Sequence, residues 1–217
     1  MNKIRFLFII SAILISGYSI VQYFIMDARQ AGFVQLKLLF TSTLNSLWYI
    51  MLFIHIIFGI AALVIGPFTL FAKFREKNIN RHKIIGRIYM IGIFFAGLSG
   101  LYLAFYATGG WVAQLGFGFL SVCWLLTAFQ ALVKVKNKNI QGHQRWMIKN
   151  YSLTFAAVTL RIWLLLFTLV FGFENFDFSY AIIAWLCWVP NLIVAQMIIQ
   201  RKSKVNRETL LNNTSHI

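Results

Sequence analysis

Four side chains could do chemistry in an otherwise apolar chain: His55, His82, His143 and Arg161. His82 lies in RHKIIGRIY, from Arg81 to Tyr89, and His143 in GHQRWMIKNY, from Gly142 to Tyr151; each opens an apolar run behind a basic cluster. Two histidines at one depth on neighbouring helix ends can supply the two neutral nitrogens that a haem iron takes axially, which makes the pair a candidate haem b site. Haem brings two propionates, and Arg87 and Arg145, beside Arg81, Lys83 and Lys149, offer cations at that level. Guanidinium is suited to carboxylate geometry. The competing reading makes both histidines interfacial residues and the cations topology signals that meet lipid phosphate.

Arg161 stands inside an apolar run that contains no acid, where a charge needs a polar partner or water. It follows His143 by close to five helical turns, so in a regular helix the two share a stripe about 27 Å apart, with Asn150 and Thr154 near it. His55 lies about 25 Å from the inner end of its own run, which puts it at the depth of Arg161 and beyond reach of an iron held by His82. His55, Arg161, Asn150 and Thr154 therefore form a candidate outer pocket for a quinone, an organic acid or a haem propionate. The partner of Arg161 is a carbonyl freed near Gly66 and Pro67 or near Pro190, the side chain of Asn191 or Thr168, neutral His55, or the ligand itself. Outward snorkelling is the alternative, over a reach that is long for arginine.

The elements that must position these groups are membrane spans. Of 217 residues, 60% are apolar and 12% charged, against about 45–50% and 25% in a soluble domain. Such a composition excludes a soluble enzyme, a disordered regulator and a disulfide-built secreted domain; Cys123 and Cys187 lie inside apolar runs, where cysteine acts as a small hydrophobe. Run length and flanking charge predict an all-α, six-span polytopic helix bundle over residues 4–24, 47–72, 84–107, 113–133, 147–172 and 179–200. A single membrane domain thus covers 1–202, followed by a polar, poorly ordered tail over 203–217.

The net charge of +15 is not spread as in a nucleic-acid binder. It falls in clusters at Lys73 to Arg87, Lys134 to Lys149 and Arg201 to Arg207, and with Lys3 and Arg5 one side holds seventeen of the twenty Lys and Arg residues. Only Arg29 and Lys37 fall opposite, so the basic side and both termini are cytoplasmic, in an inner (plasma) membrane. Asp27, Glu174 and Asp177 fall outside, and Trp48, Trp111, Trp146 and Tyr180 stand near span ends, where aromatic belts form. The first run resembles a secretory signal at its basic start, yet it continues to Phe24 without a small-x-small cleavage site and reads as a retained span. Residues 25–46 make the longest outer connection; Phe33, Val34, Leu36, Leu38, Leu39 and Phe40 suggest an interfacial helix. Gly92, Ala96 and Gly100 in the third span, and Gly59, Ala62 and Gly66 in the second, permit close helix approach or leave room for a flat cofactor. No phosphate-loop or dinucleotide glycine pattern, nucleophile elbow, Cys-x-x-Cys pair or HExxH helix occurs, and no inverted repeat is visible.

The stretch from His55 to Arg161, through HIIFGIAALVIGPF, NRHKIIGRIY and GHQRWMIKNYSLTFAAVTLR, resembles a family of bacterial membrane proteins designated only as a domain of unknown function, DUF2306. That resemblance implies a lineage and a membrane fold, and no chemistry. The histidine placement also looks like the cytochrome b561 group, six-helix proteins with haems between helices two and four and between helices three and five. His82 and His143 match the helix three and five positions and His55 the helix two position, whereas the fourth span offers only Cys123; this likeness implies one cytoplasmic-side haem.

Two functions follow. One is a membrane oxidoreductase component that transfers electrons through a haem b on His82 and His143, with a quinol or small reductant binding outside at His55 and Arg161. The other is a cofactor-free carrier, sensor or assembly partner whose Arg161 and His55 line a polar pocket. Neither involves nucleic acid, and the absence of any acid within a span argues against a proton-driven carrier of the carboxylate type.

Overall fold

Apolar runs of this length have no water to satisfy their backbone in a bilayer and must form helices. The computed structural model describes residues 3–26, 28–40, 44–70 and 78–214, and every regular element among them is helical. We label them α1 (Lys3–Ile20, continued by a π-helical turn, Val21–Ile25), α2 (Gly32–Phe40), α3 (Ser46–Leu70), α4 (Ile79–Ala104), α5 (Gly110–Lys136), α6 (Ile140–Thr154), α7 (Ala156–Phe171), α8 (Phe176–Leu186) and α9 (Val189–Thr214). Six segments are long and apolar enough to cross a membrane: Phe6–Ile25, α3, α4, α5, α6 with α7, and Phe176–Lys204. Asp27 and the cations Lys73, Arg75 and Lys77 lie outside the described residues, as do His216 and the side chains of Lys3, Arg5, Phe33, Leu36, Leu39, Phe40 and Arg207.

Spans three and five begin further toward their basic ends than hydropathy suggests, because each has a polar cap. Asn78 accepts the Arg81 N–H (3.0 Å) and Asn139 the Gly142 N–H (2.7 Å), so each side chain satisfies one orphan donor of a first turn. His82 and His143 are each the fourth residue beyond such a cap, in NINRH and NIQGH. The two spans thus open on one shared pattern, Asn-Ile-x-x-His.

Packing begins with the small-residue stripe of α4. A Cβ on Gly92 would lie 3.3 Å from the Phe58 carbonyl, so α3 and α4 approach backbone to backbone along this face. Gly66 of α3 leaves space for the Tyr151 ring of α6. The main core joins Tyr89, Ile93, Trp124, Met147 and Tyr151 with Cys187 and Trp188, and α1 adds a lesser contact through Ala12, Leu63 and Val158. Cys123 and Cys187 are free thiols.

Two spans are broken, for linked reasons. Pro190 has no N–H to give the preceding turn, and α8 ends at Leu186 before it. The neighbouring carbonyl of Cys187 accepts from the Thr159 hydroxyl and from the Asn191 side-chain N–H (2.9 Å). Asn191 also donates to the Ser152 carbonyl (3.2 Å), which a regular helix would use for the N–H of Ala156, and span five is interrupted at Phe155. The expectation of one regular helix from His143 through Arg161 is corrected accordingly: the two residues belong to separate helices, α6 and α7. Asn191 and Pro190 hold these breaks together and do not serve Arg161.

Other expectations change as well. The outer connection does contain a helix, α2, but it packs onto the bundle with Ala31, Val34 and Lys37 buried against Trp48 and Leu52. Trp48 and Tyr180 are buried, not in an aromatic belt, whereas Trp111 is 71% exposed at a span end. The last helix, α9, is continuous from the sixth span to Thr214. The charge division predicts that a reporter fused after Lys138 or Lys204 reads as cytoplasmic and one near Gly110 or Asn175 as external; protease protection or enzyme reporters check this, and reversed signals overturn the threading.

Candidate functional site

Residues of α1 and its π-helical turn, of α2, and of α3 through α8 line a cavity of about 450 Å³, within the range of about 300–1,000 Å³ that small-molecule sites occupy. His55, Thr154 and Arg161 line it; Asn150 does not. Most of the remaining wall is aromatic or aliphatic, including Trp48, Leu52, Phe117, Trp124 and Tyr180.

His55 is oriented by span three. Its Nδ1 is 2.8 Å from the Ala96 carbonyl, and since a carbonyl only accepts, the proton lies on Nδ1 and the lone pair of the neutral ring on Nε2. Trp124 meets the ring edge-on at 6.5 Å between centroids. The other wall is Gly100: a Cβ there would stand 2.9 Å from His55 Cε1 and 3.0 Å from Nδ1. Gly100→Ala is therefore expected to push the imidazole off Ala96, lowering stability by about 1–3 kcal/mol as overpacked sites do. Nitrogen NMR of the imidazole would register loss of the single Nδ1–H tautomer, and an unchanged tautomer would count against this role for Gly100.

Arg161 finds its partners on its own helix and on span one. One guanidinium N–H donates to the Ala157 carbonyl (2.7 Å) and another to Ser19 Oγ (2.9 Å), while the Ser19 hydroxyl itself donates to the Ile15 carbonyl (2.8 Å). No acid pairs with it among the described residues. Tyr18, Tyr23 and Tyr180 bring phenols to the same cavity. Gln22 and Tyr23 belong to the π-helical turn closed by the Met26 N–H on the Val21 carbonyl (2.9 Å), a local widening often found at functional sites. Span one was absent from the sequence-based site; Ser16, Ser19 and Tyr23, spaced to share one helical stripe in an otherwise apolar run, were the available signal.

A second cation enters from α2, which packs across this end of the bundle. Lys37 of α2 is only 4% exposed, its ammonium donates to the Tyr106 carbonyl, and its Nζ lies 5.8 Å from the Trp48 ring centroid. Burial holds its pKa below the ordinary lysine value. It lines the cavity.

Below the cavity is a closed polar layer. Thr154 Oγ accepts from Trp124 Nε1 (2.9 Å) and lies 3.0 Å from the Tyr89 hydroxyl, which donates to Asn150 Oδ1 (2.7 Å). The Asn150 amide donates to the Trp124 carbonyl (2.8 Å) and to Thr127 Oγ (2.9 Å), and the Tyr151 hydroxyl donates to the Leu63 carbonyl (3.2 Å). Asn150 thus binds spans three, four and five to one another.

The remaining sequence-selected residues stand elsewhere. His82, His143, Arg87 and Arg145 do not line the cavity. His143 Nδ1 donates to the Ala131 carbonyl of α5 (2.8 Å), Arg145 donates to Ser203 Oγ (3.2 Å), Arg87 is exposed and His82 is half-buried. Among the described residues no three or more His, Cys, Asp and Glu side chains gather as a metal-ion site.

Comparison with known proteins bears on lineage alone. No curated protein and no solved structure matches the chain, so the likeness to the cytochrome b561 group is without support. A family model described as "Predicted membrane protein (DUF2306)" matches residues 52–199, from the second span through most of the sixth. The match covers well over half of the sequence, and the chain belongs to this family of membrane proteins.

Proposed function

We propose that the protein binds an amphiphilic small molecule in the outer cavity, as a carrier, sensor or assembly partner in an inner (plasma) membrane. The ligand presents a carboxylate or a quinone-type carbonyl to Arg161 and His55 and lays its apolar body against the aromatic wall. One observation carries this reading: a permanently charged guanidinium deep in a span, with no acid among the described residues to pair it, faces a cavity of ligand size. The bonds to Ala157 and Ser19 satisfy N–H groups without neutralising the charge, and an incoming oxygen anion does both. His55 adds an Nε2 acceptor, suited to a ligand hydroxyl. Thermal melting of the purified protein with decanoate and with a decyl benzoquinone tests the reading. Ligand at a hundred times its Kd stabilises the folded state by about 2.7 kcal/mol, so at least one probe should raise Tm in a saturable way; no shift with either overturns it.

A second reading places haem b between His82 and His143, with Arg87 and Arg145 toward the propionates and the outer cavity receiving a quinol or small reductant. Its support is the like placement of the two histidines four residues beyond asparagine caps, together with the Nδ1–H bond of His143, which leaves the lone pair of the neutral ring on Nε2, where it could ligate an iron. A reduced-minus-oxidised spectrum of protein from haem-replete cells decides it. The expected alpha and Soret bands disappear in a His82→Ala, His143→Ala double variant, and their absence from the wild type ends the reading.

A further inference from the structure

The family match begins at Leu52, yet six residues of the cavity wall come from before it: Tyr18, Gln22, Tyr23, Gly32, Lys37 and Trp48. Span one and α2 therefore close a site whose base, His55 and Arg161, lies in the matched region. The closure adds one charged group, Lys37, buried on the chain segment that caps the bundle.

A buried ammonium is costly unless paired, and lysine is almost never found buried without a partner charge. Here its partners are the Tyr106 carbonyl and the face of Trp48, both of which accept a cation without neutralising it. Arg161, on the wall of the same cavity, is likewise bonded only to neutral groups. It precedes the Gly172 end of α7 by eleven residues, which sets it about 16 Å below the outer end of that span. Lys37, bonded to the Tyr106 carbonyl just beyond the end of α4, stands at the outer level. A mostly apolar wall is shared by two cations that no acid among the described residues pairs, a charge pattern complementary to a molecule anionic at both ends and apolar between them. The lowered pKa of Lys37 has the same origin, since a carboxylate placed beside it would restore the charged form.

We infer that Lys37 is a specificity-determining second anion contact, and that the cavity selects dianionic amphiphiles, such as dicarboxylates with an aliphatic spacer, over monoanions of equal length. This rests on the ligand-binding reading above. Arg161 takes the inner carboxylate in its planar fork, and Lys37, a flexible point charge, takes the outer one at the mouth.

Equilibrium binding of decanedioate and decanoate to the detergent-solubilised full chain tests the inference. The wild type should prefer the diacid by about tenfold or more, the ratio that a second charge-assisted contact supplies. In Lys37→Met the diacid-to-monoacid ratio should fall close to unity, whereas Lys37→Arg, which keeps the cation, should retain the preference even if overall affinity changes. Equal binding of the two probes by the wild type overturns the second contact and leaves the Arg161 site standing. A preference that survives in folded Lys37→Met overturns it as well. If neither acid binds the wild type, the anionic reading of the cavity fails and the inference fails with it.

Discussion

Arg161→Leu is expected to fold, to melt at or above the wild-type temperature, and to lose affinity for a carboxylate ligand by at least about thirtyfold. Stability and binding separate because the arginine's structural bonds are few. One N–H reaches a carbonyl of its own helix and one crosses to Ser19. Interhelical hydrogen bonds in membranes are worth on average about 0.6 kcal/mol, and the largest about 1.7. Against that loss stands the cost of a cation at membrane depth, about 2.5–3.5 kcal/mol on insertion scales. Leucine removes both, and the larger quantity is the cost. The ligand has the opposite account: a bound anion would be left desolvated without its counter-charge, and truncating one partner of a buried pair costs about 2–5 kcal/mol. Arg161→Lys should recover part of the affinity, since it restores the charge but not the planar fork. Melting temperature and binding isotherms on the same preparations separate the possibilities. A Leu variant that melts well below wild type would make the arginine a structural strut between spans, and one that binds normally would remove it from the site.

How much of this was legible in the sequence depends on the kind of signal each feature leaves. Span number follows from run length, because a bilayer demands helices of fixed apolar length, and all six segments are present. Arg161 and His55 were legible because a charge or imidazole in an apolar run is conspicuous, and helical rise alone brings them to one depth. Ser19 and Lys37 were not. The first meets Arg161 across 142 residues and the second meets Tyr106 across 69, and no local periodicity encodes either contact. Lys37 looked like a loop charge because it was the packing of α2 onto Trp48 that removed it from water. Trp48 and Tyr180 were misread for the same reason, since position near a span end does not distinguish a lipid-facing aromatic from one under a cap. The break at Phe155 has no proline or glycine to announce it; it depends on Asn191 of the next span reaching the Ser152 carbonyl. The asparagine caps before His82 and His143 were visible in the sequence, and reading them as helix starts would have moved both histidines inside their helices.

Asn150 should behave as the mirror image of Arg161. Its side chain sits fully buried at the junction of three spans, accepting from Tyr89 and donating to the Trp124 carbonyl and Thr127. Asn150→Leu keeps volume and deletes all of these contacts. The average for a membrane hydrogen bond puts the loss at about 2 kcal/mol, and the Tyr89 hydroxyl, cut off from water, is left with Thr154 alone. Tyr89→Phe removes one of these bonds together with the contact to Thr154 and should cost somewhat less, about 1 kcal/mol. Because the two residues share that bond, the double variant should be less destabilised than the sum of the singles, and a thermodynamic cycle in detergent measures the coupling. Ligand affinity, read at a temperature where the variant is still folded, should stay within severalfold of wild type, since Asn150 lies beneath the cavity and not on its wall. A variant with wild-type stability would show the polar layer to be dispensable, whereas unchanged stability with lost binding would return Asn150 to the ligand site.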